Sequence, residues 1–353
     1  MKKKVVVGMS GGVDSSAAAC LLLEQGYEVI GATARLWRYE GEGAPREDCA
    51  VNDARLVADY LGIPHYILDY EAGFRLRVVD YFVREYLRGR TPNPCIVCNR
   101  FVKWECLMSI AGQLSADYIA TGHYARIRTH PETGRLCVAC PADSDKDQSY
   151  ALYALTREQL AVTLFPLGEH KKDWVRDYAA GHSLPAAQKP DSQDICFLPG
   201  GDYARFIAEY SPENPPGGYF IDEYGHTLGR HKGIAHYTIG QRKGLGMAFG
   251  KPMYVKRINA SDNTVMLSEY TYMSEMTVNG ISWMAYGAFG GERQLRVKIR
   301  YNHKAVMCTA RAVYESDTVK ICSRFGEPQK AVTPGQAAVF YDGDYIVFGG
   351  VIE

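Results

Sequence analysis

No run of eighteen apolar residues occurs in this 353-residue chain, so no segment of it is expected to span a membrane. Net charge is missing as well. Forty Lys and Arg balance forty Asp and Glu, so the whole molecule has no field that would gather nucleic acid or an anionic membrane, and any basic surface must be local. Low-complexity tracts are absent, and 46% hydrophobic with 23% charged residues is the composition of a folded protein. An export signal is also not expected. The start MKKKVVVGMSGGVDSSAAACLLL has a basic head, but Asp14 and a Ser/Gly loop split its apolar part, and the helix continues through Glu24 and Gln25. Ten cysteines without such a signal point to a reducing compartment, the cytoplasm, and to buried or functional thiols. Cys20, Cys106, Cys308 and Cys322 lie among apolar neighbours and are expected in the core.

The pattern that is present divides the chain. From Lys4 to about Ala125, short branched runs (KVVVGM, YEVIGATA, PHYILDY, DYIATGHYA) alternate with amphipathic ones, which predicts α/β crossover units and a parallel sheet. Helical text continues through TREQLAVTLF, KKDWVRDYAAGH and GDYARFIAEY. Between Ser211 and Pro252 the texture turns rich in glycine and proline. From about Val255 short turn-punctuated strands predict a small barrel or sandwich. The expected domains are residues 1–200, a small central one at 201–272, and a C-terminal β-barrel at 273–353.

One further absence frames the chemistry. GMSGGVDSS, Gly8 to Ser16, follows a strand and opens a helix, where backbone N–H groups and the helix dipole gather phosphate, yet no lysine stands where a Walker loop requires one. Gly11 and Gly12 allow close approach, and Ser10, Ser15 and Ser16 can add hydroxyl donors. Asp14 makes sense beside phosphate only with Mg²⁺ between them. In TPNPCIVCNRFVKW a helix is predicted from about Asn99. That places Cys98 near a helix N-terminus, where the dipole, Arg100 and Lys103 would lower its pKa. Cys196 follows an acidic polar turn in KPDSQDICFLPGGD.

The stretch Ser10–Ser16 matches the S-G-G-x-D-S-S loop of the N-type ATP pyrophosphatases in full. Taken with TPNPCIVCN, TGHY, DKDQSY, DSQDICF, GQRKGLG and TPGQAAVFY in that order, the chain resembles the tRNA-specific 2-thiouridylase family over nearly its whole length. The resemblance implies an adenine nucleotide hydrolase-like parallel-sheet domain and a tRNA-uridine 2-sulfurtransferase. Such an enzyme adenylates O2 of the wobble uridine in the anticodon, releases pyrophosphate and AMP, and delivers sulfur to C2 from a donor protein or sulfide. It further implies that Gly8, Met9, Ser10, Gly11, Gly12, Val13, Asp14, Ser15, Ala34 and Gly122 bind ATP. Cys98 would be the nucleophile and Cys196 the persulfide carrier. Asn93, Pro94 and Cys95 would face the base, while His123, Lys146, Asp147, Gln148, Arg300, Tyr301 and Gln336 would contact tRNA.

The chain departs from the commoner family pattern at Cys95, where an aspartate is usual, so the proton-transfer step there is open. Cys95, Cys98 and Cys196 together offer the alternative of three thiolates on a [4Fe–4S] cluster. A zinc site combining Cys137 and Cys140 with Cys95 and Cys98 is disfavoured by the spacing, and the former pair is expected on a strand. In RQLRVKIRYNHK, Leu295, Val297 and Ile299 alternate with Arg296, Lys298 and Arg300, which predicts a strand with one buried face and one basic row suited to a phosphate backbone. Two rival functions remain: another adenylating ATP pyrophosphatase with a small-molecule substrate, and a catalytically silent tRNA-binding module. Neither requires both Cys98 and Cys196.

Overall fold

The computed structural model describes residues 2–37, 47–191, 195–198, 200–213, 216–315 and 318–353. The turn residues 192–194 of the DSQDICF motif lie outside that set. Two compact units emerge: one made of Met1–Val78, Cys95–Phe197 and Asp344–Val347, the other of Val79–Pro94, Leu198–Gly343 and Phe348–Glu353.

In the first unit, β1 (Lys4–Gly8) is followed by α1 (Val13–Glu24), β2 (Glu28–Arg35), α2 (Glu47–Leu61), β3 (His65–Asp69) and the short α3 (Glu71–Phe74). Beyond α4 (Asp80–Leu87), which belongs to the second unit, come α5 (Pro94–Cys98), α6 (Trp104–Gln113) and β4 (Tyr118–Thr121). A hairpin of β5 (Arg126–Thr129) and β6 (Leu136–Ala139), then α7 (Arg157–Ala161), β7 (Thr163–Leu164) and α8 (Lys172–Gly181) follow. The sheet order is β3-β2-β1-β4-β7, parallel throughout. Val5, Val6 and Val7 have no exposed surface, as a central strand covered on both faces requires. Because the chain runs outward from β1 to β2 and β3 and then returns to β4 on the other side, the order reverses between β1 and β4. Ligands of open α/β sheets bind beyond the strand ends at such a point.

TREQLAVTLF differs from the helical expectation. A capping box between Thr156 and Gln159 starts α7, which ends at Ala161, and Thr163–Leu164 becomes the edge strand beside β4. The Thr163 hydroxyl is held there by the buried indole N–H of Trp104 at 2.8 Å. Cys137 is a buried residue of β6, as expected, whereas Cys140 lies just past the end of that strand.

The second unit contains α9 (Tyr203–Tyr210) and a sheet of β8 (Tyr219–Ile221), β9 (Thr227–Arg230), β10 (Tyr254–Asn259) and β11 (Thr264–Ser268) in the order β10-β11-β8-β9. Phe220, Val255, Val265 and Leu267 close its core. The remaining strands are β12 (Tyr272–Trp283), β13 (Glu292–Lys298), β14 (Val306–Glu315), β15 (Thr318–Lys330), β16 (Ala337–Asp342) and β17 (Tyr345–Ile352). They run β12-β15-β14-β13-β16-β17, and β17 pairs back on β12 at Val278 and Ile352, which closes a six-stranded barrel. Leu295, Val297 and Ile299 are buried as the alternation predicts. Cys20, Cys106 and Cys308 are buried too, but Cys322 is exposed, because its position on β15 turns it away from the neighbouring buried Ile321 and Ser323. Among the described residues no helix is long and apolar enough to cross a membrane.

Candidate active site

The glycine loop emerges from β1 at the reversal point, and the register of β1 with β4 sets Gly8 opposite Thr121. Gly11 adopts φ +73°, and a β-carbon there would meet Cβ of Asp53 at 2.6 Å. A β-carbon on Gly122 would lie 2.7 Å from the backbone of Asp14 and Ser15, so glycine lets the two loops touch. Helix α1 begins after Gly12 with no side-chain cap, leaving its first-turn N–H groups available to an anion. Ser15 and Ser16 donate their hydroxyls to the Gly12 carbonyl at 3.1 and 2.9 Å, bracing the loop from within instead of lining it. Ser10 is exposed, Met9 is buried with its carbonyl accepting from Thr33, and Ala34 is half-buried at the carboxyl end of β2.

Asp14 is already neutralised. Lys172 at the start of α8 reaches both its carboxylate oxygens at 2.7 and 2.8 Å, and the Tyr124 hydroxyl donates to Oδ1 at 2.7 Å. Tyr124 follows from TGHY, and Gln148 braces it by accepting from its N–H at 2.8 Å. Burial and the nearby Asp14 charge push the Tyr124 phenol up, so it remains a donor. Lys146 pairs with Asp191 at 2.9 Å, and Asp147 accepts from the Ser149 N–H.

The thiols differ from the sequence expectation. Helical structure begins at Pro94, a residue suited to a first turn, and continues through Asn99–Lys103 as a π-helical stretch into α6. Cys95 occupies the first turn, and Cys98 sits inside the helical run with 5% exposure. Burial pushes the Cys98 thiol up to about 12, Lys103 opposes that shift, and Cys196 and Cys95 add to it. The dipole argument fails because the helix starts one turn early, and desolvation outweighs the lysine. Cys95 and Cys196 are exposed, yet desolvation raises their thiols too, and Lys103 again pulls in the other direction. The three thiols thus share one field with Lys103. Phe197 anchors the Cys196 end by packing on Phe74 and Trp37, with ring centroids 5.7 and 6.2 Å away.

His123 joins the two halves. Its Nδ1 lies 2.8 Å from the Thr121 hydroxyl, and its ring lies 5.7 Å from that of Trp104. Burial, with Lys103 adding to it, holds its pKa down at about 3, so the imidazole is neutral. The loop, Ala34, Gly122, His123, Lys146–Gln148 and all three thiols belong to the first unit. Asn93, Pro94, Arg300, Tyr301 and Gln336 belong to the second. There the Gln336 amide donates to the Thr91 carbonyl at 2.9 Å, and Arg300 is exposed. Sequence reasoning missed Lys172 and Asp191. The only hint was KKD opening a predicted helix, and a separation of 158 residues hid its partner Asp14.

Among the described residues, which include Cys95, Cys98 and Cys196, no group of three or more His, Cys, Asp or Glu is arranged to hold a metal ion.

An open parallel sheet with a glycine loop and an uncapped helix N-terminus at its reversal point is a frame suited to binding phosphate groups. Comparison with known proteins narrows this. The family models described as tRNA methyl transferase HUP domain, tRNA methyl transferase PRC-barrel domain and Aminomethyltransferase beta-barrel domain match residues 3–200, 204–269 and 273–352. A tRNA-specific 2-thiouridylase MnmA of Lachnoclostridium phytofermentans is 51% identical, over 99% of each chain. Its counterpart in Acetivibrio thermocellus is 48% identical over 100% of this chain and 99% of that one, and the one in Clostridioides difficile is 47% identical over the same shares. The chain belongs to the tRNA-specific 2-thiouridylase family.

Proposed function

We propose that this protein is a cytoplasmic tRNA-uridine 2-sulfurtransferase that converts the wobble uridine of tRNA to 2-thiouridine at the expense of ATP. The observation that carries the reading is the common field of Cys98, Cys196 and Lys103 beside His123, one residue from the glycine that touches the phosphate loop. Residues 1–200 serve as the catalytic domain, 201–272 as a small tRNA-binding domain and 273–353 as the barrel. Asn93, Pro94 and Cys95 face the extruded base, and Lys146, Asp147, Gln148, Arg300, Tyr301 and Gln336 guide tRNA.

ATP enters as its Mg²⁺ complex, the cation travelling with the phosphates. The uridine O2 attacks the α-phosphorus as the bond to the β-phosphate oxygen breaks, pyrophosphate leaves with the electron pair, and the N3 proton passes to solvent. Residues of the loop from Gly8 to Ser15 hold the phosphates. Cys196, loaded beforehand with a sulfane sulfur by a persulfide-bearing donor protein, presents its terminal sulfur to C2. Attack there expels AMP and leaves the base joined to Cys196 through a disulfide. Cys98 then attacks the Cys196 sulfur, which releases 2-thiouridine and forms a Cys98–Cys196 disulfide. An external dithiol reduces that disulfide before the next turnover. Cys95 and Cys98, one helical turn apart, and Cys196 do not form a metal-holding arrangement, so they do not fit a [4Fe–4S] cluster as placed, and no step is assigned to one.

The test supplies α-labelled ATP, tRNA and a persulfide donor, and follows AMP and 2-thiouridine. Cys98→Ser and Cys196→Ser should each abolish 2-thiouridine while tRNA binding remains, Cys196→Ser leaving the label on adenylated tRNA and Cys98→Ser releasing at most one equivalent of AMP per enzyme. Retained thiolation in either variant would refute the reading. A small-molecule adenylating enzyme would instead release AMP without tRNA.

A further inference from the structure

Lys172 occupies a position that neither the phosphate loop nor the thiols explain. Its stem is buried at the first residue of α8, and its ammonium sits between two carboxylates, 2.7 and 2.8 Å from Asp14 and 2.8 Å from Asp191. The two carboxylates are not equivalent. Asp191 has two further cations, Lys146 at 2.9 Å and Arg176 at 2.7 Å, whereas Asp14 has in addition the neutral Tyr124 hydroxyl. Asp191 would therefore stay paired if Lys172 turned away from Asp14. Asp14 lies in the first turn of α1, whose open N–H groups face the phosphate position.

We propose that Lys172 is the phosphate-binding lysine that the loop itself lacks, and that its ammonium passes from Asp14 to the polyphosphate when ATP binds while keeping its contact with Asp191. The inference rests on the nucleotide reading above. Bringing phosphates beside Asp14 adds negative charge to a carboxylate, and a cation able to exchange partners without leaving its cage relieves that repulsion at little reorganisation. During adenylation the electron pair of the breaking α–β phosphate bond goes to pyrophosphate. A lysine on the β- or γ-phosphate stabilises that developing charge. AMP, which lacks those phosphates, gains nothing from it.

The experiment measures ATP and AMP affinities by calorimetry for the full chain and its variants. Lys172→Met should weaken ATP about tenfold while AMP stays within about twofold, the scale of one lost charge-assisted contact. The same loss should appear in an Asp14→Asn background, since the contact is to the ligand and not to Asp14. Equal loss of both nucleotides, or no further loss once Asp14 is neutral, would mean that Lys172 only balances the carboxylate, and would overturn the proposal. Should Lys172→Met not fold, Asp14→Asn alone keeps the lysine and removes the carboxylate it has to leave. It should tighten ATP and not AMP, and unchanged ATP affinity there counts against the idea. If the wild-type chain binds neither nucleotide, the nucleotide reading itself fails.

Discussion

At the scale of single residues, desolvation governs the sulfur chemistry. Cys98 is held near 12 by burial despite Lys103, so at neutral pH only a small fraction is thiolate, and each unit of pH below that value changes the fraction about tenfold. The release step, in which Cys98 attacks Cys196, should therefore accelerate about tenfold per pH unit across roughly pH 7 to 9 in single-turnover quench experiments. No inflection from His123 should interrupt the rise, because that ring is neutral down to about pH 3. A plateau near pH 7 would show that the reacting thiol is not the buried one. Lys103→Met should displace the profile to still higher pH, since Lys103 works against desolvation at all three thiols. Ser10–Ser16, Cys98 and Cys196 were legible in the sequence as candidates, from motif order and the family resemblance. Their electrostatics were not, because ionisation depends on neighbours that only folding supplies. Pro94 opens the helix one turn before the expected start at Asn99, since a proline suits a first turn, and this places Cys98 beyond the N-terminus.

At the scale of elements, α1 and α8 are fastened at both ends. Asp14 and Lys172 meet at one end, while at the other Glu24 accepts from the Tyr178 hydroxyl at 2.7 Å and lies 2.8 Å from His182 Nε2. Between them Ala17, Ala18, Leu21 and Val175 form an apolar seam. His170, Trp174, Tyr178 and His182 stack along α8 at successive i,i+4 positions, with centroids 3.8, 5.0 and 4.1 Å apart. The carbonyl of Tyr178 and the carboxylate of Glu24 raise the His182 pKa, and hydrogen bonds from Tyr178 and His182 lower that of Glu24. The histidine contribution is complete below its ordinary value of 6.5 and disappears as pH climbs through the raised one. The carboxylate contribution is complete above 4.5 and disappears as pH falls through the lowered one. The clasp is thus strongest between those ordinary values. The melting-temperature difference between wild type and His182→Ala should be largest near pH 5.5 and shrink by pH 8. A difference independent of pH would indicate that only ring stacking is lost. The helices themselves were legible from periodicity, whereas their pairing, which joins residues some 158 apart, was not.

At the scale of the whole molecule, balance of charge decides how tRNA can be held. With forty positive and forty negative side chains there is no overall attraction, so affinity must come from phosphate contacts made one at a time by local cations. The strand alternation around Leu295, Val297 and Ile299 predicted their burial, and the closed barrel explains it: these positions fill the interior, while of the alternate ones Arg300 is exposed and Arg296 and Lys298 are half-buried. What the sequence could not convey is that Arg300 is set in direction by the Lys330 and Ala331 carbonyls, 3.4 and 3.5 Å from its guanidinium, because those groups come from a strand end thirty residues on. A guanidinium positioned in this way loses little freedom on meeting a phosphate. If Arg300 makes one such contact, Arg300→Ala should weaken tRNA binding and reduce the slope of log affinity against log salt by about 0.7 to 0.9, the release of one counterion. Lys251→Ala, removing a cation already paired with Glu269 at 2.6 Å, should leave that slope unchanged. Anisotropy titrations of labelled tRNA between about 50 and 200 mM salt separate the outcomes. A loss of affinity at constant slope would assign Arg300 to the shape of the barrel rim and not to the phosphate backbone.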